Sequence, residues 1–508
     1  MSRPSASNGT LAVAATAPAA TRAESSTRAA VYRDIARHWA TYACGALTGS
    51  LASILLLPFY TRFLTSAEYG LIAVLDVTMN LLTAILTATL VSAITRWSSE
   101  AATADERARV TGTAVTFIAV VGGAGVTAGQ FVSPALAAFT LGTAEYAHYY
   151  RIMLVTMLVN VLGTVAITQL VAMRRSTFVT IVSLGRLLAA VGLNVYLIAG
   201  LGWGIDGFLY ANLAVSSVFA LGVLTHVVRL TGFAVSRSLL GRMLSFSLPF
   251  VPAVAFGAII HEGDRLILQR FVSLSDVGVY ALGYKIAMTA SQLVAGPFAQ
   301  SWGPILYEVR RRPDAGETYA SVMRLSTYVS LLVMLAVSVF ARETIHALAG
   351  PEFQEAYRVI PLVALGYVLF GLNEHLKVPV LLSGRTREIP IVYSITVVVN
   401  LALCALLIPV WGVMGAATAT LATFVVFVLI ALVRYGRCYP IPFPIGDIAR
   451  AMLVAIGVFA LGEAIAVEPL WLTVLVKSAL LLGVTAFLFR PALGPLVAGY
   501  RLRGAVRP

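Results

Sequence analysis

Apolar and polar positions run along this chain in long blocks. From residue 39 onward, fourteen mainly apolar stretches follow one another at about 39–60, 70–95, 110–132, 148–172, 178–200, 207–228, 244–272, 276–300, 321–341, 356–383, 388–409, 415–434, 448–467 and 470–489. Each has roughly the 20 residues that a helix needs to cross a bilayer core. Short polar turns separate them. Residues 1–30, rich in Ala, Ser and Thr, carry no such block and are expected to be a disordered tail. Leu11–Ala20 is too weakly apolar, and too broken by Thr and Pro, for a signal-peptide core. The pattern predicts an all-α polytopic membrane protein of about fourteen transmembrane helices.

The blocks repeat. Arg62-Phe63-Leu64-Thr65-Ser66-Ala67-Glu68-Tyr69-Gly70-Leu71 recurs by identity or residue type as Arg270-Phe271-Val272-Ser273-Leu274-Ser275-Asp276-Val277-Gly278-Val279, an offset of 208. Trp203-Gly204-Ile205-Asp206-Gly207 recurs at the same offset as Trp411-Gly412-Val413-Met414-Gly415. Tyr150-Arg151-Ile152 matches Tyr357-Arg358-Val359 at offset 207. Internal repeats of hydrophobic segments are common among transporters. The expected organisation is a cytoplasmic tail over 1–30, a first half over 31–228 and a second over 229–434. A Pro-rich connector over 435–447, two added helices over 448–489 and a cytoplasmic tail over 490–508 follow. Six segments per half give both halves the same orientation, so the repeat is parallel.

Composition agrees with the membrane reading. The 508 residues are 59% hydrophobic and only 12% charged, against about 25% charged in soluble domains. The net charge of +13 would suggest nucleic acid in a soluble chain, but its distribution gives another explanation. Of the 36 Lys and Arg, 26 fall in the tails and the even-to-odd connections, and six at the opposite ends of the segments. The positive-inside rule then places both termini in the cytoplasm, with no nucleic-acid partner. The opposite-face connections are short, the longest running from Ser133 to Ala147. None offers room for a soluble active site.

Candidate chemistry is therefore sought in the helices. Thr65-x-x-Glu68 and Ser273-x-x-Asp276 fit the capping box and should start segments 2 and 8. Gly70 and Gly278 then allow close helix packing. Arg62 and Arg270, at the ends of segments 1 and 7, either snorkel or gate a substrate path. Charges within membrane segments usually face a cavity or a partner. Lys285 has no acid within one turn of its own helix and is a cavity candidate. Glu374 and Lys377, three apart, can neutralise each other or belong to a cavity. Lys477 stands without a sequence neighbour to pair with, and Arg186 is read as snorkelling. His261, Glu262, Asp264 and Arg265 form the densest charged cluster in any apolar segment. A segment reaching Val272 places Asp264 and Arg265 in the bilayer, whereas one ending at Ile260 places them in a loop. Asp76, on one face with Asn80, is a candidate for ion coupling or cavity lining. Pro249 and Pro252 should bend segment 7.

Other chemistry is not suggested. Gly202-x-Gly204-x-x-Gly207 matches the dinucleotide fingerprint but lies between two membrane segments, without a preceding soluble strand, and reads as a tight turn. There is no Walker A loop, no HExxH and no Gly-x-Ser-x-Gly elbow. No cofactor, metal or enzymatic activity is expected, and Cys44, Cys404 and Cys438 show no disulfide or zinc spacing.

Leu57-Pro58-Phe59-Tyr60-Thr61-Arg62-Phe63-Leu64-Thr65-Ser66-Ala67-Glu68-Tyr69-Gly70 resembles the start of the polysaccharide-biosynthesis flippases of the Wzx type. So does Ser247-Leu248-Pro249-Phe250-Val251-Pro252 running into Gly263-Asp264-Arg265, then Asp276-Val277-Gly278-Val279-Tyr280 and Lys285. The superfamily includes the MATE drug antiporters and the lipid II flippase MurJ. The resemblance implies two six-helix lobes around a central, often cationic cavity. It implies a polyprenyl-pyrophosphate-linked oligosaccharide, turned to the outer leaflet of the cell membrane by alternating access for exopolysaccharide, O-antigen or capsule synthesis. A polysaccharide polymerase and glycosyltransferases would be further partners. Two extra helices form a tail groove in the MurJ-like branch, and segments 13 and 14 match by count. Asp264, Arg265 and Lys285 carry over by motif position as substrate-binding residues, whereas Asp76 has no family motif behind it. The competing expectations are a MATE-like drug or metabolite cation antiporter, which needs a cavity dominated by acids, and a membrane-embedded glycan polymerase or ligase.

Overall fold

The computed structural model describes residues 56–464 and 470–504. The tail expected over 1–30 and nearly all of segment 1 lie outside these residues, as does Cys44. The described chain is helical, with no strand. We number its principal helices α1 (Ser66–Ala88), α2 (Ala104–Leu141), α3 (Ala147–Ala172), α4 (Ser176–Asn194), α5 (Gly204–Thr231), α6 (Val251–Glu262) and α7 (Asp264–Leu268). They continue with α8 (Leu274–Val309), α9 (Ala315–Val339), α10 (Ile360–Leu376), α11 (Glu388–Tyr435), α12 (Ile445–Ala464) and α13 (Leu470–Gly504).

Ten helices among the described residues are long and apolar enough to cross a membrane, or eleven if Pro351–Arg358 and Ile360–Ser383, bent by 48°, form one span. The expected count of fourteen is not confirmed on this measure. α11 holds two expected segments in one run of 48 residues, broken where Gly412 takes φ 54° and ψ −126°. α8 is not among the ten, since Tyr280, Tyr284, Lys285, Thr289 and Ser291 lower its hydropathy. Expected segment 1 is mostly outside the described residues.

The repeat has a structural counterpart. Thr65–Glu68 and Ser273–Asp276 both form complete capping boxes. The carboxylates accept from the cap backbone N–H at 2.8 and 3.2 Å respectively. A third box, at Thr103 and Glu106, starts α2. Gly204 and Gly412, equivalent by the repeat, turn the chain with φ 52° and 54°. An L-residue seldom adopts that backbone, so the Gly-rich stretch is a turn. Segment 7 breaks at Leu248–Phe250, a 3₁₀ turn around Pro249, and stops at Glu262 rather than reaching Val272.

In the first half α3 packs on α2 and α5; in the second α10 packs on α9 and α11. The halves meet where α1 lies along α8 and α6. Gly70 faces the carbonyl of Leu274, and Gly278 faces that of Ser66. A Cβ at either glycine would fall inside the radius of the facing oxygen, so backbones touch there. Ser66 and Ser275 share a hydroxyl hydrogen bond of 2.6 Å across the same contact. Glu352 accepts from the Ser66 N–H and Oγ, both at 2.7 Å.

Candidate functional site

Immediately beyond this glycine contact the halves diverge around a cavity of about 230 Å³. Asp76 lies ten residues into α1 and Lys285 eleven into α8. At 1.5 Å per residue both are roughly 15 Å from the joined helix starts, about half a bilayer core. Tyr60, Tyr69, Asp76, Asn80, Glu262, Arg265 and Lys285 supply its polar lining. Phe208, Leu64, Ile72 and Met288 are among its apolar walls. Asn80 Nδ2 donates to Glu262 Oε2 at 2.9 Å, linking α1 to the end of α6. Lys285 lies against the Tyr69 hydroxyl and shares the field of Asp76 and Arg265. The acid whose field reaches Lys285, Asp76, thus lies on another helix. The helix that carries Lys285 offers none within a turn.

Arg265 enters from the wall. It is 7% exposed and Asp264 1%. Their ion pair measures 3.3 Å. Asp264 also accepts from the Tyr280 hydroxyl, and from Thr420 Oγ1 at 3.3 Å. The guanidinium lies 4.3 Å from the ring centre of Tyr284 and donates to the His261 carbonyl at 3.2 Å. Such a cation over an aromatic face gains about 2 kcal/mol or more when desolvated. The pair therefore sits in neither an exposed loop nor an uninterrupted segment. It occupies the one-turn helix α7, which follows α6 after Gly263, itself at φ −66° and ψ −23°. His261 stacks on Tyr367 behind it, ring centres 5.8 Å apart.

The other expected site residues are elsewhere. Arg62 is exposed at the start of the repeated hairpin. Arg270 donates to the Phe139 carbonyl and lies 4.8 Å from the Phe139 ring centre, beside a separate, apolar cavity of about 470 Å³. Glu374 and Lys377 form an ion pair of 2.6 Å. Glu374 borders a third cavity, of about 210 Å³, with Ser326 and His375 hydrogen-bonded at 2.6 Å. Lys477, unpaired in sequence, binds Glu343 at 2.6 Å and the Val339 carbonyl at 2.9 Å. Arg186 donates to Asn160 Oδ1 at 2.8 Å and does not merely snorkel.

Sequence reasoning noted Glu262 only as part of a charged cluster and did not connect it with Asp76 or Lys285. It missed Tyr60 and Tyr69 as lining residues. The signal for Tyr69 was its polar hydroxyl beside a close-packing glycine. Nothing local marks Glu262, because its partner Asn80 is 182 residues away. Among the described residues no cluster of three or more His, Cys, Asp or Glu is arranged for a metal.

The family described as "Polysaccharide biosynthesis protein" matches residues 59–358. The succinoglycan biosynthesis transport protein ExoT of Rhizobium meliloti (strain 1021) is 27% identical over 299 residues. That alignment covers 50% of this chain and 57% of ExoT, so the chain spans little more than half the length of the curated relative it matches. Among solved structures, lipid II flippase MurJ in an inward closed conformation superposes with a TM-score of 0.73 at 12% identity, covering 89% of this chain and 99% of MurJ. An inward-facing multidrug resistance MATE transporter gives 0.62 at 16% identity, over 77% of this chain and 95% of its own. The Vibrio cholerae MATE transporter VcmN in its bent form gives 0.56 at 14% identity, over 81% and 98%. At these identities the likeness establishes the fold alone, an all-helical one shared with MurJ and the MATE proteins.

Proposed function

Because the chain belongs to the polysaccharide biosynthesis protein family, we propose that it is a flippase for a polyprenyl-diphosphate-linked oligosaccharide. It moves that molecule from the cytoplasmic to the outer leaflet of the cell membrane, with both termini in the cytoplasm. The observation that carries this reading is the cavity between the halves, where Lys285 and Arg265 stand beside Tyr60, Tyr69 and Asn80. A diphosphate needs cations, since charge-assisted hydrogen bonds are the strong ones. A sugar needs hydroxyl and amide partners, and the same lining offers both. A cavity of about 230 Å³ accommodates a diphosphate and part of a sugar, so the remaining glycan would extend into the space between the halves.

The glycine contact supports alternating access. It closes one end of the interface, and rocking of one half against the other would open it. The apolar tail would remain at the side. α12 contributes Ala455, Ile456 and Phe459 to a groove whose other walls are Leu331, Met334 and Leu335 of α9 and Pro361 and Leu365 of α10. α12, the first helix of the added C-terminal pair, fits that role.

One observation favours a second reading, cation export. The cavity lining includes Asp76 and Glu262 as well as Lys285 and Arg265, and acids suit cationic substrates. Deletion in a polysaccharide-producing host separates the two. The flippase reading expects polyprenyl-diphosphate-linked oligosaccharide to accumulate on the cytoplasmic leaflet, surface polysaccharide to be lost, and Lys285→Ala to fail to restore it. Normal surface polysaccharide in the deletion strain, with new sensitivity to cationic drugs, would favour export instead.

A further inference from the structure

Two cations do not make this cavity positive. Asp76 and Glu262 share its wall with Lys285 and Arg265, and Asp264 stands directly behind Arg265 at 3.3 Å. Among the described residues, with every group ionised, the two carboxylates of the lining and Asp264 behind it outnumber the two cations by one negative charge. A diphosphate entering that space would meet an excess of its own sign. Like charges repel more strongly in a partly desolvated site than in water.

The acids are not equivalent. Asp264 is fixed by the Arg265 guanidinium, the Tyr280 hydroxyl and Thr420. Glu262 accepts from Asn80 at 2.9 Å. Asp76 accepts no hydrogen bond among the described residues. Among the described residues, the charged and titratable groups around it are Lys285 from α8, Glu262 from α6, Arg265 from α7 and the phenol of Tyr60. Lys285 and Arg265 are therefore its stabilising cations, and Lys285 is the less committed of the two. Tyr69, on the same helix as Asp76, faces Lys285. His261 is turned away, stacked on Tyr367.

We propose that Asp76 is an internal stand-in for the substrate's phosphate, so that an anionic headgroup binds Lys285 only together with a proton taken up by Asp76. In the empty cavity Asp76 and Lys285 compensate each other. A phosphate oxygen that takes over the Lys285 ammonium removes from Asp76 the one cation, among the described residues, that is not already committed to another acid. A carboxylate left there beside Glu262 and a phosphate is unfavourable, and protonation removes its charge. The carboxyl then becomes a hydrogen-bond donor to the phosphate or to a sugar oxygen. This deepens the flippase reading and rests on it.

Titration calorimetry on the purified full chain tests it, with farnesyl diphosphate as the probe. Binding heats measured in buffers of different ionisation enthalpy count the protons taken up. The wild type should take up about one proton per probe, with affinity falling about tenfold per pH unit once Asp76 is ionised in the free protein. Asp76→Asn should take up about none and bind with little dependence on pH. Binding by the wild type with no proton uptake would overturn the inference and leave the flippase reading standing. Uptake unchanged in Asp76→Asn would overturn the assignment to Asp76. Absence of wild-type binding at any pH, in protein whose Tm shows it folded, would overturn the anionic-headgroup reading and the inference with it. The proton count on the wild type stands whether or not the variant folds.

Discussion

At the residue scale, cations that bind differ from cations that hold the fold. Lys285 is half-buried in the cavity wall and should bind substrate. Lys285→Ala should cut transport roughly 10- to 100-fold, the worth of one or two charge-assisted hydrogen bonds. Lys285→Arg should retain part of it, as initial rates in vesicles will register. Arg265 has a second duty. Removing its guanidinium leaves Asp264 buried beside Tyr280 and Thr420 without a countercharge, which costs roughly 3–5 kcal/mol. Arg265→Ala should therefore lower Tm in detergent, and Arg265→Ala with Asp264→Ala should melt higher than the single variant. Equal melting of the two would contradict the pairing. Lys477 and Glu343 follow the same rule: Lys477→Met should destabilise the chain more than Lys477→Met with Glu343→Gln.

At the element scale, what was legible in the sequence was local. Thr65 and Glu68, or Ser273 and Asp276, lie three residues apart, and both boxes form. The turns at Gly204 and Gly412 were readable for the same reason. The close approach of Gly70 and Gly278 was expected as packing, but its partners were not, since each glycine meets the backbone of the other half. The end of segment 7 was undecided because a one-turn helix, α7, has too few residues to show a period. The contact between α1 and α8 yields its own prediction. Cysteines replacing Ser66 and Ser275, whose hydroxyls are 2.6 Å apart, should cross-link on oxidation. Transport should fall below about a tenth and return on reduction. Full transport by the cross-linked protein would show that this end need not open. Gly70→Leu should prevent the same closure, seen as increased labelling of a single cysteine at Ser275.

At the scale of the whole molecule, the repeat and the site are distinct patterns. The 208-residue offset carries the scaffold: caps, close-packing glycines and turns. Applied to the site, it pairs Lys285 with Val77, and Asp76 with Tyr284. The cavity chemistry is where the halves differ, and that is why the search for matched motifs did not reveal it. Lys285 looked isolated because its acids lie on helices that only the fold brings near. The expectation of a cationic cavity came from the family resemblance; the lining holds Lys285 and Arg265 but also Asp76, expected as a cavity candidate, and Glu262, noted only in a charged cluster. Family membership and the MurJ- and MATE-like fold set the class of protein. The lining of one cavity carries both signs, so between an anionic lipid-linked glycan and a cation it is transport that decides.

The most direct test of that decision is transport of a fluorescent undecaprenyl-diphosphate-linked oligosaccharide in proteoliposomes, read by accessibility of the label to an added quencher. The account predicts that wild-type protein moves the label across the bilayer and that Lys285→Ala, folded to the same Tm, does not. Wild-type vesicles that leave the label on its original leaflet, while exchanging an organic cation for protons, would contradict it.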